Sequence, residues 1–345
     1  MSDIKISVIV PIHGVGKYLP KCLDSLAKQD FLWPYEVICV SDSANDNSPE
    51  IIDDYIKAYP NKFVRLDVKN RNLSFTRNDG LSIAKGDYVA FVDGDDFVAG
   101  NYLSTFYNTA IEKDADVVIG NYYIYDNGKR YKHGLSFISY KGYIKAKNAI
   151  RFMNNDLIIR GYVWYKFFKR SVIQNVKFPS IKYMLEDITF STMAFLNSKK
   201  IYWMQKRTYY YVIHKDSISL TWEFYDSTQN ALNALGFCKV YAASLYGNEK
   251  AGKIYTFSSF IRKVIAFYYI YMKNDKKRDK FKINMEVEKE IKIIKKHVCY
   301  KNTPWEKAVI DAGLDKLVKE DISLNKDEMI NLKKFCKDYD KDASN

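Results

Sequence analysis

Three carboxylates crowd into four residues at Asp93-Gly94-Asp95-Asp96. Charges that close repel unless a cation or a set of donors answers them. The spacing Asp93-x-Asp95 suits a hard divalent metal that keeps open positions for phosphate oxygens. Gly94 removes a side chain where a ligand would approach. A second polar loop, Ser41-Asp-Ser-Ala-Asn-Asp-Asn-Ser48, supplies Asp42 and Asp46. Arg77, the pair Glu186-Asp187, and His214 complete the set of residues able to do chemistry. Each has a bland alternative. The acidic run would cap the following helix, and Asp42 would cap its own turn. Arg77 would be a solvated helix arginine. Glu186 and Asp187 would be acids favoured in a helix's first turn. A lone histidine such as His214 is more often structural.

The elements around these residues decide which reading is economical. Ile4 to Pro11 reads as a buried strand, followed by the loop His13-Gly-Val-Gly16. Tyr18 to Ala27 places Tyr18, Leu19, Cys22, Leu23 and Leu26 on one helical face. Glu36 to Val40 is the second strand and ends on the Asp42 loop. Ser48 with Pro49 opens the next helix. Val64 to Val68 is a third strand, and Leu73 to Ala84 is a helix carrying Arg77. Tyr88 to Val92, rich in β-branched and aromatic residues, is a strand that ends on the acidic cluster. Gly100 to Asp114 reads as helix and Val117 to Asn121 as strand. Val163 to Phe168 reads as an aromatic strand, Glu186-Asp187 as a helix start, and Ile201 to Met204 and Thr208 to Ile213 as two short strands.

Strand–helix alternation predicts an α/β fold with a largely parallel sheet covered on both faces. Ligands of such sheets bind beyond the carboxyl ends of the strands. Asp42 and Asp93 to Asp96 both lie just past strand ends, so both are predicted to face one crevice. After Thr221 the strand pattern stops. The expected division is 1–221 as the sheet domain and 222–345 as a mostly α-helical C-terminal region.

The formal charge of +13 over 345 residues asks for an anionic partner. A nucleic-acid binder fits poorly, because no recognised binding motif is present and the acidic cluster would repel phosphate without a metal. Five scattered cysteines without a CxxC argue against a zinc knuckle or a disulfide framework and for a reducing compartment. No leader or membrane span is expected, which places the protein in the cytoplasm. The basic excess near the C-terminus gathers in Lys273 to Lys301, beside the aromatic run Phe257 to Met272. Such a segment would be drawn to an anionic membrane face. The competing reading of the aromatic run is a packed helical core face.

Taken in order, the motifs resemble those of the family-2 glycosyltransferases, inverting enzymes of the GT-A fold. They are Ser7-Val-Ile-Val-Pro-Ile12, Val40 to Ser48, Arg77-Asn-Asp-Gly80 with Ala84-Lys-Gly-Asp-Tyr88, Phe91-Val-Asp-Gly-Asp-Asp96, Leu185-Glu-Asp187, and Tyr209 to Ser219. Each is weak alone, and six in order make a strong signal. The resemblance does not reach residues 222 to 345. The chain departs from the pattern in three places: His13-Gly14 where the family has Tyr-Asn, Ser41 to Asp46 where it has Asp-Asp-Gly-Ser-Thr-Asp, and Val212 where an arginine is common.

The resemblance implies a role for each matched residue. Pro11, His13, Asp42, Arg77 and Asp93 would bind the nucleotide. Asp42 would read N3–H of uracil, and Asp93 would meet the ribose side. Asp95 would hold Mn²⁺ or Mg²⁺ against the phosphates of a UDP-sugar. Asp187 would be the general base toward the acceptor hydroxyl, with Glu186 beside it and His214 near the phosphate or metal. The acceptor would be a glycan, a lipid-linked sugar or a glycoprotein. The alternative is a sugar-nucleotide-binding module without turnover.

Overall fold

The computed structural model describes residues 4–132, 141–154, 159–178, 186–214 and residue 238. The chain separates into two compact units, Met1–Lys182 with Glu186–Leu220, and Tyr183–Leu185 with Thr221–Asn345. In the second unit only the buried Cys238 is among the described residues. The helical region expected after residue 221, the basic segment Lys273 to Lys301, Leu185 and the stretch Asp216 to Ser219 all lie outside them.

The first unit begins β1 (Ile6–Ile12), α1 (Leu19–Ala27), β2 (Tyr35–Asp42), α2 (Ser48–Ala58), β3 (Phe63–Val68), α3 (Leu73–Ile83) and β4 (Tyr88–Phe91). It continues β5 (Phe97–Val98), α4 (Tyr102–Glu112), β6 (Val117–Asp126), β7 (Lys129–Lys132), β8 (Gly142–Ile144) and α5 (Ala146–Asn154). It ends β9 (Lys166–Lys169), α6 (Arg170–Ile173), α7 (Glu186–Asn197) and β10 (Ile201–Val212). One sheet runs in the order β3-β2-β1-β4-β9-β6-β10-β5, with β7 paired to β6 and β8 to β10.

β1 to β4 pair in parallel, as a chain of strand–helix crossovers must. The remainder is mixed, where the pattern predicted a largely parallel sheet. β9 runs antiparallel to both of its neighbours, β4 and β6. α5 precedes it in the chain, and β9 begins directly out of a tight turn at 163–166. Residues 163–165 belong to that turn rather than to the predicted strand, since the Lys166 amide donates to the Val163 carbonyl at 2.9 Å. The two strands predicted at 201–204 and 208–213 are one, β10. Its pairing with β6 shifts register between Trp203 and Tyr209, around the polar Gln205-Lys-Arg207. β1 and β2 are buried along their whole length, the continuous apolar run that a doubly covered strand requires.

Two packing details set the site. α1 opens with Pro20 in its first turn and buries Leu19, Cys22, Leu23 and Leu26, the face read from the sequence. α3 lies directly on β1 and β2. A Cβ at Gly80 would stand 2.6 Å from Ile9 Cγ2 and 2.9 Å from Val40 Cγ2. That close approach holds Arg77, one turn earlier, low against the strand ends. Cys22 and Cys39 are buried free thiols. Among the described residues no helix is long and apolar enough to cross a membrane.

Candidate active site

The ends of β1, β2, β4 and β10, the face of α3 and the first turn of α7 bring the chemically capable residues together. The three crowded aspartates solve their repulsion by pointing to different partners. Asp93 Oδ1 accepts from Arg77 Nη2 at 2.9 Å. Asp95 Oδ2 lies 2.8 Å from His214 Nε2. Asp96 is buried and turns inward, accepting from the Tyr209 hydroxyl at 2.6 Å and from the Val212 amide at 2.7 Å. Burial, reinforced by Asp95 and Asp93, pushes the Asp96 carboxyl well above its ordinary range. Asp95 is also raised, by burial and by Asp93, against the opposing pull of His214. Gly94 lets this loop lie on β1: a Cβ there would sit 3.2 Å from the Pro11 carbonyl. The His214 ring packs tilted against Tyr18, with centroids 4.4 Å apart, and its buried Nδ1 has no hydrogen-bond partner among the described residues.

Arg77 is 1% exposed, against the alternative of a solvated helix arginine. Its Nη1 donates to Glu186 Oε1 at 2.9 Å and to Asp187 Oδ1 at 2.7 Å, while Nη2 holds Asp93. Burial alone would lower its pKa, but Asp187, Asp93 and Glu186 hold it firmly charged. One guanidinium therefore ties the acidic loop after β4 to the acids that open α7. Among the described residues its partners are three carboxylates. Asp187 also accepts from the Val163 amide at 3.3 Å. Its pKa is pushed up to about 7, first by burial, which outweighs Arg77, and further by Glu186 and Asp93.

Asp42 has a different environment. Oδ1 accepts from the Asn70 amide at 2.8 Å, the Arg71 amide at 2.9 Å and Ser43 Oγ at 3.1 Å. Oδ2 accepts from Thr76 Oγ1 at 2.8 Å and the Asn72 amide at 3.2 Å. Burial would raise this carboxyl, yet the bonds from Arg71, Thr76, Ser43 and Asn72 win and hold it below its ordinary range. A carboxylate offers about four lone-pair sites, and these donors fill them. In this arrangement Asp42 grips the loop before α3, where Arg71 takes a left-handed φ of 48°. His13 Nδ1 lies 2.7 Å from the Asp42 carbonyl, with the ring exposed beside the crevice. Asp46 binds the amides of Gly16, at 2.7 Å, and Ser48, at 3.1 Å, pinning the loop after β1 to the start of α2.

Residues that the sequence reading passed over complete the floor. Lys166, 0% exposed, donates to the Arg160 carbonyl at 2.8 Å, the Gly161 carbonyl at 3.0 Å and the Tyr162 carbonyl. Trp164 stacks between Tyr162 and the Tyr209–Tyr211 pair. The only sequence signal was the aromatic run with a lysine inside it, which reads equally well as a strand.

The structure of S. aureus TarS 1-349 in complex with UDP-GlcNAc superposes with a TM-score of 0.64 at 20% identity, covering 90% of this chain and 92% of that one. The mixed sheet with flanking helices is thus the GT-A glycosyltransferase fold. Glycosyltransferase GlyA of Streptococcus pneumoniae is 31% identical over 226 residues, 64% of this chain and 32% of that protein. Cholesterol galactosyltransferase of Borreliella burgdorferi is 30% identical over 251 residues, 64% of this chain and 68% of that protein. The model of glycosyl transferase family 2 matches residues 7–176, and the chain belongs to that family. It spans about a third of the length of two of the curated relatives it matches.

Proposed function

We propose that the protein transfers a sugar from a UDP-sugar to a hydroxyl of a glycan, lipid-linked or protein-borne acceptor, with inversion at the anomeric carbon. The observation that carries this reading is the Arg77 bridge, which sets Asp187 beside the acidic loop at the strand ends. Asp187 is the general base. It takes the acceptor proton as that oxygen attacks from the face opposite the leaving diphosphate. Its raised pKa, about 7, keeps it basic enough to accept a proton near neutral pH. Glu186 shares the guanidinium and adjusts that basicity. Asp93 faces the ribose side, and His13 lies over the base pocket. Asp42 acts on the nucleotide through the 70–72 loop it holds. Pro11 supports the acidic loop from below.

The site suits a divalent cation, Mn²⁺ or Mg²⁺. Asp95 would supply a hard carboxylate, with His214 Nε2 beside it, and phosphate oxygens would complete the shell. Among the described residues no group of three or more candidate ligands is gathered. Bound there, the ion would neutralise charge growing on the leaving diphosphate.

A panel of UDP-, GDP- and CDP-sugars tests the reading, scored by release of nucleotide with and without Mn²⁺. Turnover restricted to UDP-sugars is expected, lost in Asp95→Asn and Asp187→Asn. Binding of UDP-sugars without any turnover would favour the module reading instead, and the Asp187–Arg77 pair would then be structural.

A further inference from the structure

The β6–β7 hairpin brings a basic strand to the sheet. Asn127 and Gly128 take left-handed φ of 47° and 79°, the turn that an Asn-Gly pair makes between paired strands. Lys129-Arg-Tyr-Lys132 then folds back along β6, exposed throughout. Residues opposite each other on an antiparallel ladder share a face. Arg130 lies opposite Tyr125 and Lys132 opposite Tyr123, so both cations join those rings on one face of the sheet.

β10 adds a third cation by breaking its own alternation. Arg207 pairs with Asn121 and Tyr209 with Tyr122, so β10 carries one extra residue there, Thr208. Such a bulge re-aims a side chain. Strict alternation would put Arg207 on the Tyr209 face, where Tyr209 stacks on Trp164. The bulge turns it to the other face, and its guanidinium lies 6.0 Å from the Tyr123 ring centre. Tyr210 fills that face between Tyr123, at 5.5 Å, and Phe97 of β5, at 4.6 Å. α1 supplies a fourth cation. Lys21 Nζ sits 3.7 Å from the centre of Phe97 and 4.0 Å from that of Tyr125.

The rings order these cations without neutralising them. Among the described residues no carboxylate pairs with Lys21, Arg130, Lys132 or Arg207. Lys21, Arg130 and Lys132 are exposed. Arg207 is partly exposed, and its shielded Nε and Nη2 have no hydrogen-bond partner among the described residues. Three strand spacings separate β7 from β5, about 14 Å. A single phosphate or carboxylate cannot meet cations that far apart; a chain carrying such groups at intervals can. The face adjoins the acidic loop: Phe97 follows Asp96, and the Ile213 amide, next to His214, bonds the Tyr125 carbonyl at 2.9 Å. A membrane leaflet would be met by apolar side chains as well as charge. The exposed ring of the hairpin, Tyr131, pairs with Ile124 and so projects from the opposite face.

We propose that this face holds the acceptor as a linear polyanion, a chain bearing repeated phosphate or carboxylate groups. The inference rests on the sugar-transfer reading and gives that reading's acceptor its charge.

The test titrates wild type, Arg130→Gln/Lys132→Gln and Lys21→Gln with inorganic polyphosphate and with polygalacturonate, neutral dextran being the control. UDP is present throughout to occupy the nucleotide site. Wild type is expected to bind a polyanion and not dextran, and the tighter of the two polyanions identifies the charged group. The slope of log affinity against log salt should fall by about one for each cation removed. Acceptor-independent hydrolysis of the UDP-sugar and its KM stay at wild-type values in both variants. No binding of either polyanion, equal binding of dextran, or unchanged salt slopes in both variants would overturn the assignment. So would phosphatidylglycerol vesicles or single-stranded DNA bound as tightly as polyphosphate with the same dependence on Arg130 and Lys132, which would make the face a membrane or nucleic-acid contact. Wild-type protein that hydrolyses no nucleotide sugar would remove the transfer reading itself, while the titrations decide the polyanion face separately.

Discussion

Two carboxylates of this protein, Asp42 at the end of β2 and Asp187 at the start of α7, are both nearly inaccessible and yet are opposite in character. Asp42 is met by five donors and stays below its ordinary pKa. Among the described residues Asp187 has two, one of them an arginine shared with two other acids, and it rises to about 7. Burial pushes both the same way, so the number and exclusivity of the donors decides the outcome. A saturated carboxylate is a fastener. An undersupplied one keeps affinity for a proton, which is what proton abstraction needs.

The sharpest way to break the comparison is Asp187→Asn. Turnover should fall by roughly 10²- to 10⁴-fold, the usual range for a lost general base, with UDP affinity retained. Collapse of donor binding in a stopped-flow or calorimetric titration would put Asp187 among the fasteners.

Arg77→Met comes next. It strands three acids in a buried site, and breaking a buried ion pair costs about 3–5 kcal/mol, visible as a lowered Tm. Arg77 lowers the Asp187 pKa, so its removal should move the rising limb of the kcat–pH profile upward from about 7. The sign follows from the base role: activity requires the deprotonated form, so activity grows as pH passes the pKa. A limb that stays in place would detach Arg77 from the base.

Asp42→Asn replaces one acceptor oxygen with a donor that faces backbone N–H groups. The expected loss is about 1–3 kcal/mol of stability. Nucleotide affinity should weaken for UDP and CDP by the same factor, because the loop moves as a whole. Weakening confined to uridine and thymidine nucleotides would mean that Asp42 reads the base after all.

Glu186→Gln should have the smallest effect. Glu186 raises the Asp187 pKa, so its neutralisation should shift the same limb downward by less than about one unit. An upward shift would reverse the electrostatic assignment.

Much of this was legible in the residues. The order of the acids, the strands beneath them and the GT-A fold were readable because each is a local pattern: an apolar run, a turn, a carboxylate past a strand end. The orientation of each carboxylate was not. Asp93, Asp95 and Asp96 are equivalent on paper, and only the positions of Arg77, His214 and Tyr209 distinguish them. Arg77 shares α3 with Ser74, Asn78 and Asp79, so nothing local marks it as buried. Lys166 was unreadable for the same reason, since its partners are carbonyls of a turn that periodicity assigns to a strand. The antiparallel course of β9 went unseen together with that turn.

The Arg77–Asp187 contact joins residues 110 positions apart, and that separation has a consequence for how the molecule comes into being. Contacts this distant in the chain pay their loop-closure entropy late in folding. On a ribosome, Arg77 and Asp93 emerge together, while Glu186 and Asp187 follow only after β9 has been made. Until then the arginine has one acid where the finished fold gives it three. Closing the ion pair is therefore a late event: a half-synthesised chain can form β1 to β4, but two of the arginine's three carboxylates arrive only when α7 docks.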